Sequence, residues 1–134
     1  MFSYIMLGTN DLPRSIHFYD AVMPTLGHRR CEPTDESGWD NIAGWGTYEN
    51  GGLQELALWV SVPFDGKPAT SGNGTMIAFA ASTRTQVDSF HQAAMENGGT
   101  SEGAPGIRER YAPDFYVAYV RDPDGNKLAA VCRG

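Results

Sequence analysis

The sequence predicts an α+β fold built from two consecutive β-α-β-β-β units. Three observations predict it. Two segments, Tyr4–Arg30 and Met76–Glu102, each pass from a short apolar strand through a polar break into an amphipathic helix that stops at glycine. Two later segments, Asn50–Val60 and Asp122–Cys132, each couple a turn-forming stretch to an apolar strand. These landmarks share one offset, residues 4 and 76, 50 and 122, and 56 and 128 each lying 72 apart. The helices fit best at 71, a slip of one residue in the break before them. An offset kept by strand, helix and hairpin together argues for a structural repeat.

The elements follow in order. Tyr4–Gly8 alternates, so Tyr4 and Met6 share one strand face and Ile5 and Leu7 the other. Asp11 followed by Pro13 marks a helix start, and Ile16, Tyr19, Val22 and Met23 lie on one helical face that Gly27 ends. Strands are expected at His28–Pro33 and Trp39–Tyr48, then the Asn50 turn and a strand reaching Val60. Ser61–Asn73 is rich in Pro, Gly, Ser and Thr, as a linker is. A single domain is expected, with repeat 1 (1–62) and repeat 2 (74–134) joined by linker 63–73. In the second unit Met76–Ala80 is the strand, Ser82 or Thr83 the cap, and Val87, Phe90, Ala93 and Ala94 the buried helix face before Gly98. Thr100–Pro113 is only weakly strand-like; Tyr116–Arg121 reads as a strand, and Asp122-Pro123-Asp124-Gly125-Asn126 as a turn into the last one.

Composition narrows the function. With 134 residues, 41% hydrophobic and 19% charged, the chain can bury a real core. A net charge of −6 with scattered basic residues argues against nucleic acid as a partner. No apolar run reaches the roughly 18–20 residues that span a bilayer, and "MFSYIMLGTND" carries no secretory pattern. Cys31 and Cys132 have no C-x-x-C spacing and read as reduced thiols in a cytoplasmic protein. No G-x-S-x-G elbow is present, and "SGNGT" lacks the lysine of a phosphate loop.

The stretches "LGTNDLPRSIHFYDAVMPTLG", "GTMIAFAASTRTQVDSFHQAAMENGG" and "YVAYVRDPDGNKLAAV" cover roughly two thirds of the chain. Together they resemble the vicinal oxygen chelate superfamily of glyoxalase I, extradiol dioxygenases and bleomycin-resistance proteins, the D-P-D-G-N turn being the most specific piece. The resemblance implies a curved mixed sheet around a cleft, helices outside, and a homodimer. It also implies metal ligands, His, Gln or Glu, from the first and last strands of each unit. Carried onto this chain, those positions fall at Tyr4, Ala57, Met76 and Ala129. Alanine has no donor atom, and neither thioether nor phenol suits the hard metals of that chemistry. A shift of one residue also finds no His, Glu or Gln, and would turn the side chain to the other face. Glu55 is the nearest substitute, and one carboxylate does not hold a catalytic metal. His17, His28 and His91 have no ligand spacing and read as structural or solvated.

With no metal or other cofactor expected, parity lines the cleft with Tyr4, Met6, Trp59, Met76 and small alanines, and leaves Ile5, Leu7, Leu56, Leu58, Ile77 and Phe79 to pack beneath the helices. Arg108, Arg110 and Tyr111 in "PGIRERYAPDFY" form either a solvated loop or a carboxylate-binding arm. The candidate ligand-binding residues are thus Tyr4, Met6, Trp59, Met76, Arg108, Tyr111 and Tyr116. The expected function is metal-free binding of a small, partly apolar or aromatic molecule. A metal-dependent glyoxalase (lyase) or dioxygenase with displaced ligands is the alternative. A third reading is a metal-independent enzyme using Tyr4, Glu55 or Arg108.

Overall fold

The computed structural model describes residues 1–32 and 39–134. Its elements are β1 (Tyr4–Gly8), α1 (Leu12–Val22), β2 (Ile42–Glu49), β3 (Gln54–Ser61), β4 (Ile77–Ala80), α2 (Arg84–Glu96), β5 (Thr100–Ile107), β6 (Phe115–Arg121) and β7 (Lys127–Arg133). They form two open mixed sheets, one ordered β1-β3-β2 and the other β4-β7-β6-β5. In both, the first strand of the unit runs parallel to the last, and the remaining pairs are antiparallel.

The capping chemistry works as the sequence requires. Asp11 accepts from the Arg14 N–H at 3.1 Å, and Thr83, of the two candidate caps, accepts from the Gln86 N–H at 3.1 Å. Each helix turns one face inward: Phe18, Tyr19 and Val22 from α1, and Val87, Phe90 and Ala94 from α2, are fully buried. They meet Trp45, Leu58 and Val60 of the first sheet and Ala118, Val120, Leu128 and Ala130 of the second in one continuous core. Among the described residues neither unit has a separate core of this size.

Two strand expectations change. In place of a strand at His28–Pro33 there is an isolated bridge between Arg30 and Trp45, and Pro33 lies outside the described residues. The pairing consists of Cys31 N–H to Gly44 O at 2.7 Å and Gly46 N–H to Arg29 O at 3.0 Å. Gly46 has φ +124, and β2 keeps its unbroken ladder with β3 through it, so only this single bridge forms on its other edge. Thr100–Ile107, by contrast, is a full strand, with register shifts flanking Gly103 that absorb its glycines and proline.

The Asp122–Asn126 turn is a clasp between the units. Asp122 Oδ1 accepts the backbone N–H groups of Asp124 and Asn126, both at 2.9 Å, while Oδ2 accepts the Tyr19 hydroxyl of α1 at 2.6 Å. Asn126 donates across to Gly8 O at 3.2 Å. Asp124 accepts from the Thr9 hydroxyl (2.6 Å), the Ser15 hydroxyl (3.1 Å), the Asn10 N–H (2.9 Å) and Arg14 (2.9 Å). Its side chain is 3% exposed, so these bonds form largely away from water.

Candidate functional site

Strand register fixes which side chains can meet. On the helix side lie Ile5, Leu7, Leu58, Val60, Ile77 and Phe79, all in or against the core. The opposite, open face of the first sheet carries Tyr4 and Met6 on β1, Glu55, Ala57 and Trp59 on β3, and Ile42, Gly44, Gly46 and Tyr48 on β2.

An aromatic pocket forms on that open face. Trp59 is edge-to-face with Trp39 and Tyr48 at centroid distances of 5.0 and 5.4 Å, and Trp39 with Tyr48 at 5.5 Å. Gly44 permits this, because a Cβ there would lie 2.2 Å from Trp59 Cε3. The indole N–H of Trp59 donates to Glu55 Oε2 at 2.8 Å, and Ser3 donates to Glu55 Oε1 at 3.0 Å. One carboxylate oxygen thus holds the tryptophan and the other is taken by Ser3. Tyr4, Met6, Ile42 and these residues enclose about 260 Å³. Beneath them Cys31 is held near Gly46 O, its thiol pushed up first by burial and then by Glu55.

Tyr4 also borders a larger apolar cavity of about 470 Å³, into which Ile5, Met23, Trp45, Leu58, Ile77 and Phe79 contribute. It lies between the units, where β1 and β4 each pair with a neighbour on one side only. Leu56, expected beneath the helices, borders this cavity and is 64% exposed.

Of the candidate residues, Tyr4, Met6 and Trp59 come together in the aromatic pocket, and Met76 borders the larger cavity. Arg108 lies over Tyr119 at 5.8 Å, and Tyr111 packs on Phe115 at 5.1 Å, both in the second unit. Tyr116 faces α2, its hydroxyl donating to Asp88 at 2.6 Å, so its side chain points to the helix side and not to the open face. The hydrogen bond to Asp88, then burial, raises that phenol. Trp39, Tyr48 and Ile42 were not singled out as ligand residues. Counting alternate residues back across the hairpin from Trp59 finds Ile42 and Tyr48, because Tyr48 pairs with Glu55 and Ile42 with Ser61. Trp39 precedes the strand and has no such signal.

Register also corrects one metal-ligand position. Tyr4 pairs with Ala57, but Ala129 pairs with Ala78, so Ala78 and not Met76 is the second unit's counterpart of Tyr4. The hairpins keep the 72-residue offset while the register of β4 on β7 is shifted by two residues from that of β1 on β3. The positions thus hold one phenol and three methyl groups, a set that does not fit a divalent metal. Among the described residues no group of three or more His, Cys, Asp or Glu side chains is placed to hold one. His28 borders the larger cavity, and His91 shares a hydrogen bond of 2.9 Å with Ser101. His17 is exposed on α1.

The chain matches the model of the Glyoxalase/Bleomycin resistance protein/Dioxygenase superfamily over residues 2–130. It belongs to that superfamily. A crystal structure of a glyoxalase/bleomycin resistance protein from Albidiferax ferrireducens is 38% identical, covers 100% of this chain and 99% of its own, and superposes with a TM-score of 0.83. A glyoxalase/bleomycin resistance protein/dioxygenase family enzyme from Burkholderia phytofirmans is 21% identical over 98% of each chain, with a TM-score of 0.71. A glyoxalase I mutant from Zea mays is 22% identical, covers 97% of this chain and 45% of its own, and gives 0.62. At the last two identities the likeness is one of fold. Comparison with curated protein sequences finds no match. Among the described residues no helix is long and apolar enough to cross a membrane.

Proposed function

We propose that this member of the glyoxalase/bleomycin resistance superfamily binds a small, partly apolar or aromatic molecule without a metal. The observation that carries the reading is the pocket of Trp39, Tyr48 and Trp59, held by Glu55 and bordered by Tyr4 and Met6. Rigid aromatic walls with a few polar groups suit an organic ligand. Methyl groups at Ala57, Ala78 and Ala129 support a family site whose metal ligands have been lost. The binding unit is a homodimer: the unpaired edges of β1 and β4, beside exposed Phe2, Tyr4, Met6, Leu56 and Met76, offer a second copy both backbone partners and apolar area.

Thermal-shift and tryptophan-fluorescence screening with small aromatic compounds, run beside metal analysis of the purified protein, tests this. The expected result is a compound that stabilises the protein with EDTA present and loses its effect in Trp59→Leu. Stoichiometric Ni, Zn, Mn or Fe(II) held by side chains, with an activity lost on chelation, would instead establish the metal-dependent lyase or dioxygenase.

A further inference from the structure

The aromatic pocket of the first sheet is more than an apolar wall. The rings of Trp39, Tyr48 and Trp59 lie 5.0–5.5 Å apart at interplanar angles of 70, 70 and 86°. Planes so steeply inclined bound a corner and not a stack. All three border one space of about 260 Å³, with Tyr4, Met6, Ile42 and Glu55 around them. That volume lies below the roughly 300–1,000 Å³ of pockets for drug-sized molecules, so it suits a small head group. Two glycines make room for the rings: a Cβ at Gly44 would meet Trp59 at 2.2 Å, and one at Gly52 would lie 3.1 Å from Tyr48 Cε2.

The charge in this pocket is negative and unanswered. Glu55 lines it, and no Lys, Arg or His does. Among the described residues the ion pairs are Arg14 with Asp124, Arg30 with Asp20 and Arg121 with Glu102, so none of these cations is on Glu55. Residues 33–38 contain no Lys, Arg or His. The charge of Glu55 reaches the Cys31 thiol, which burial first and Glu55 second push up. Trp59 and Ser3 already donate to its two oxygens at 2.8 and 3.0 Å, so what Glu55 still offers an occupant is chiefly charge.

Elsewhere the chain caps its rings with its own cations. Arg84 lies over Tyr116, Arg108 and Lys127 against Tyr119, Arg110 over Tyr111 and Arg133 over Phe115, at 4.7–5.8 Å. All of these rings belong to the second unit, and among the described residues no such contact is made to Trp39, Tyr48 or Trp59. The first-sheet pocket thus has the aromatic walls and the counter-charge of a cation site, without a cation of the chain's own.

We propose that this pocket recognises a small organic cation, a quaternary ammonium group set against Trp39, Tyr48 and Trp59 with Glu55 as its counter-charge. The inference rests on the reading of this pocket as the ligand site. A quaternary head has no N–H and asks for no acceptor, which suits a carboxylate whose oxygens are already engaged. Its methyl groups pack on the rings while its charge is drawn to them. A net charge of −6 also favours the approach of a cation over that of an anion.

Calorimetric titration with choline and with neohexyl alcohol, its uncharged counterpart in which carbon replaces nitrogen, tests this, with benzyl alcohol run in parallel. Choline should bind about tenfold or more tightly than neohexyl alcohol. Glu55→Gln, which can still accept the Trp59 N–H, should weaken choline about tenfold and leave neohexyl alcohol unchanged. Trp39→Leu should weaken choline about tenfold, and Trp39→Phe, which keeps a ring, should fall between; that order separates ring recognition from a folding defect. No binding of choline, binding no tighter than that of neohexyl alcohol, or binding indifferent to both Glu55→Gln and Trp39→Leu overturns the proposal. If that happens while benzyl alcohol binds and is lost in Trp59→Leu, the pocket remains a site for neutral aromatic molecules. If no neutral aromatic compound binds either, the reading of the pocket as the ligand site falls with it.

Discussion

Asp124 gathers two hydroxyls, a backbone N–H and a guanidinium from the other unit onto one buried carboxylate. Asp124→Ala would leave the Asn10 N–H and Arg14 without their acceptor and the Thr9 and Ser15 hydroxyls with only each other and Asp11 O, and should cost about 2–4 kcal/mol of unfolding free energy, read by urea denaturation. Tyr19 makes the neighbouring bond, and burial, then the charge of Asp122, holds its hydroxyl well above the usual 10.0. Because the folded state binds this proton more tightly than the unfolded chain does, its contribution is full below pH 10 and is lost as pH rises further. The melting temperature should therefore fall in strong alkali, and Tyr19→Phe should lessen the fall. Gly44→Ala should displace Trp59 and cost about 1–3 kcal/mol, visible as a change in tryptophan emission. Single residues were legible in the sequence where parity decides: Tyr4, Met6 and Trp59 share a face because alternate strand residues must. Arg108 over Tyr119 and Asp124 against Thr9 were not, because each depends on how two distant segments meet.

At the level of elements, helices were the most legible parts, since a cap, a 3.6-residue period and a glycine stop leave little choice. Thr83→Ala removes the acceptor of the Gln86 N–H and should destabilise the protein by about 1 kcal/mol, a shift in the denaturation midpoint without a change in slope. The strands were less legible at their margins. Met76–Ala80 and Ile77–Ala80 differ by one residue, yet the register they imply for Ala129 differs by two. β5 was obscured because Gly103, Pro105 and Gly106 oppose strand propensity, and pairing with β6 overrides them.

For the whole molecule, the repeat was legible from its common offset, but the union of the repeats was not. One core drawn from both helices and both sheets joins them. Light scattering should give twice the monomer mass, and Leu56→Lys, a change at a side chain 64% exposed in the single chain, should halve it without lowering monomer stability. The clasp has a consequence for biosynthesis. Thr9 and its acceptor Asp124 are separated by 115 residues, so the start of α1 is made long before the group that satisfies it exists. Before Asp124 is made, the Thr9 and Ser15 hydroxyls have only each other and Asp11 O, and the core residues of the first unit lack those of the second. Closure of the late hairpin onto the early helix then completes both units together, and a nascent chain arrested before Asp122 should be readily cut by protease.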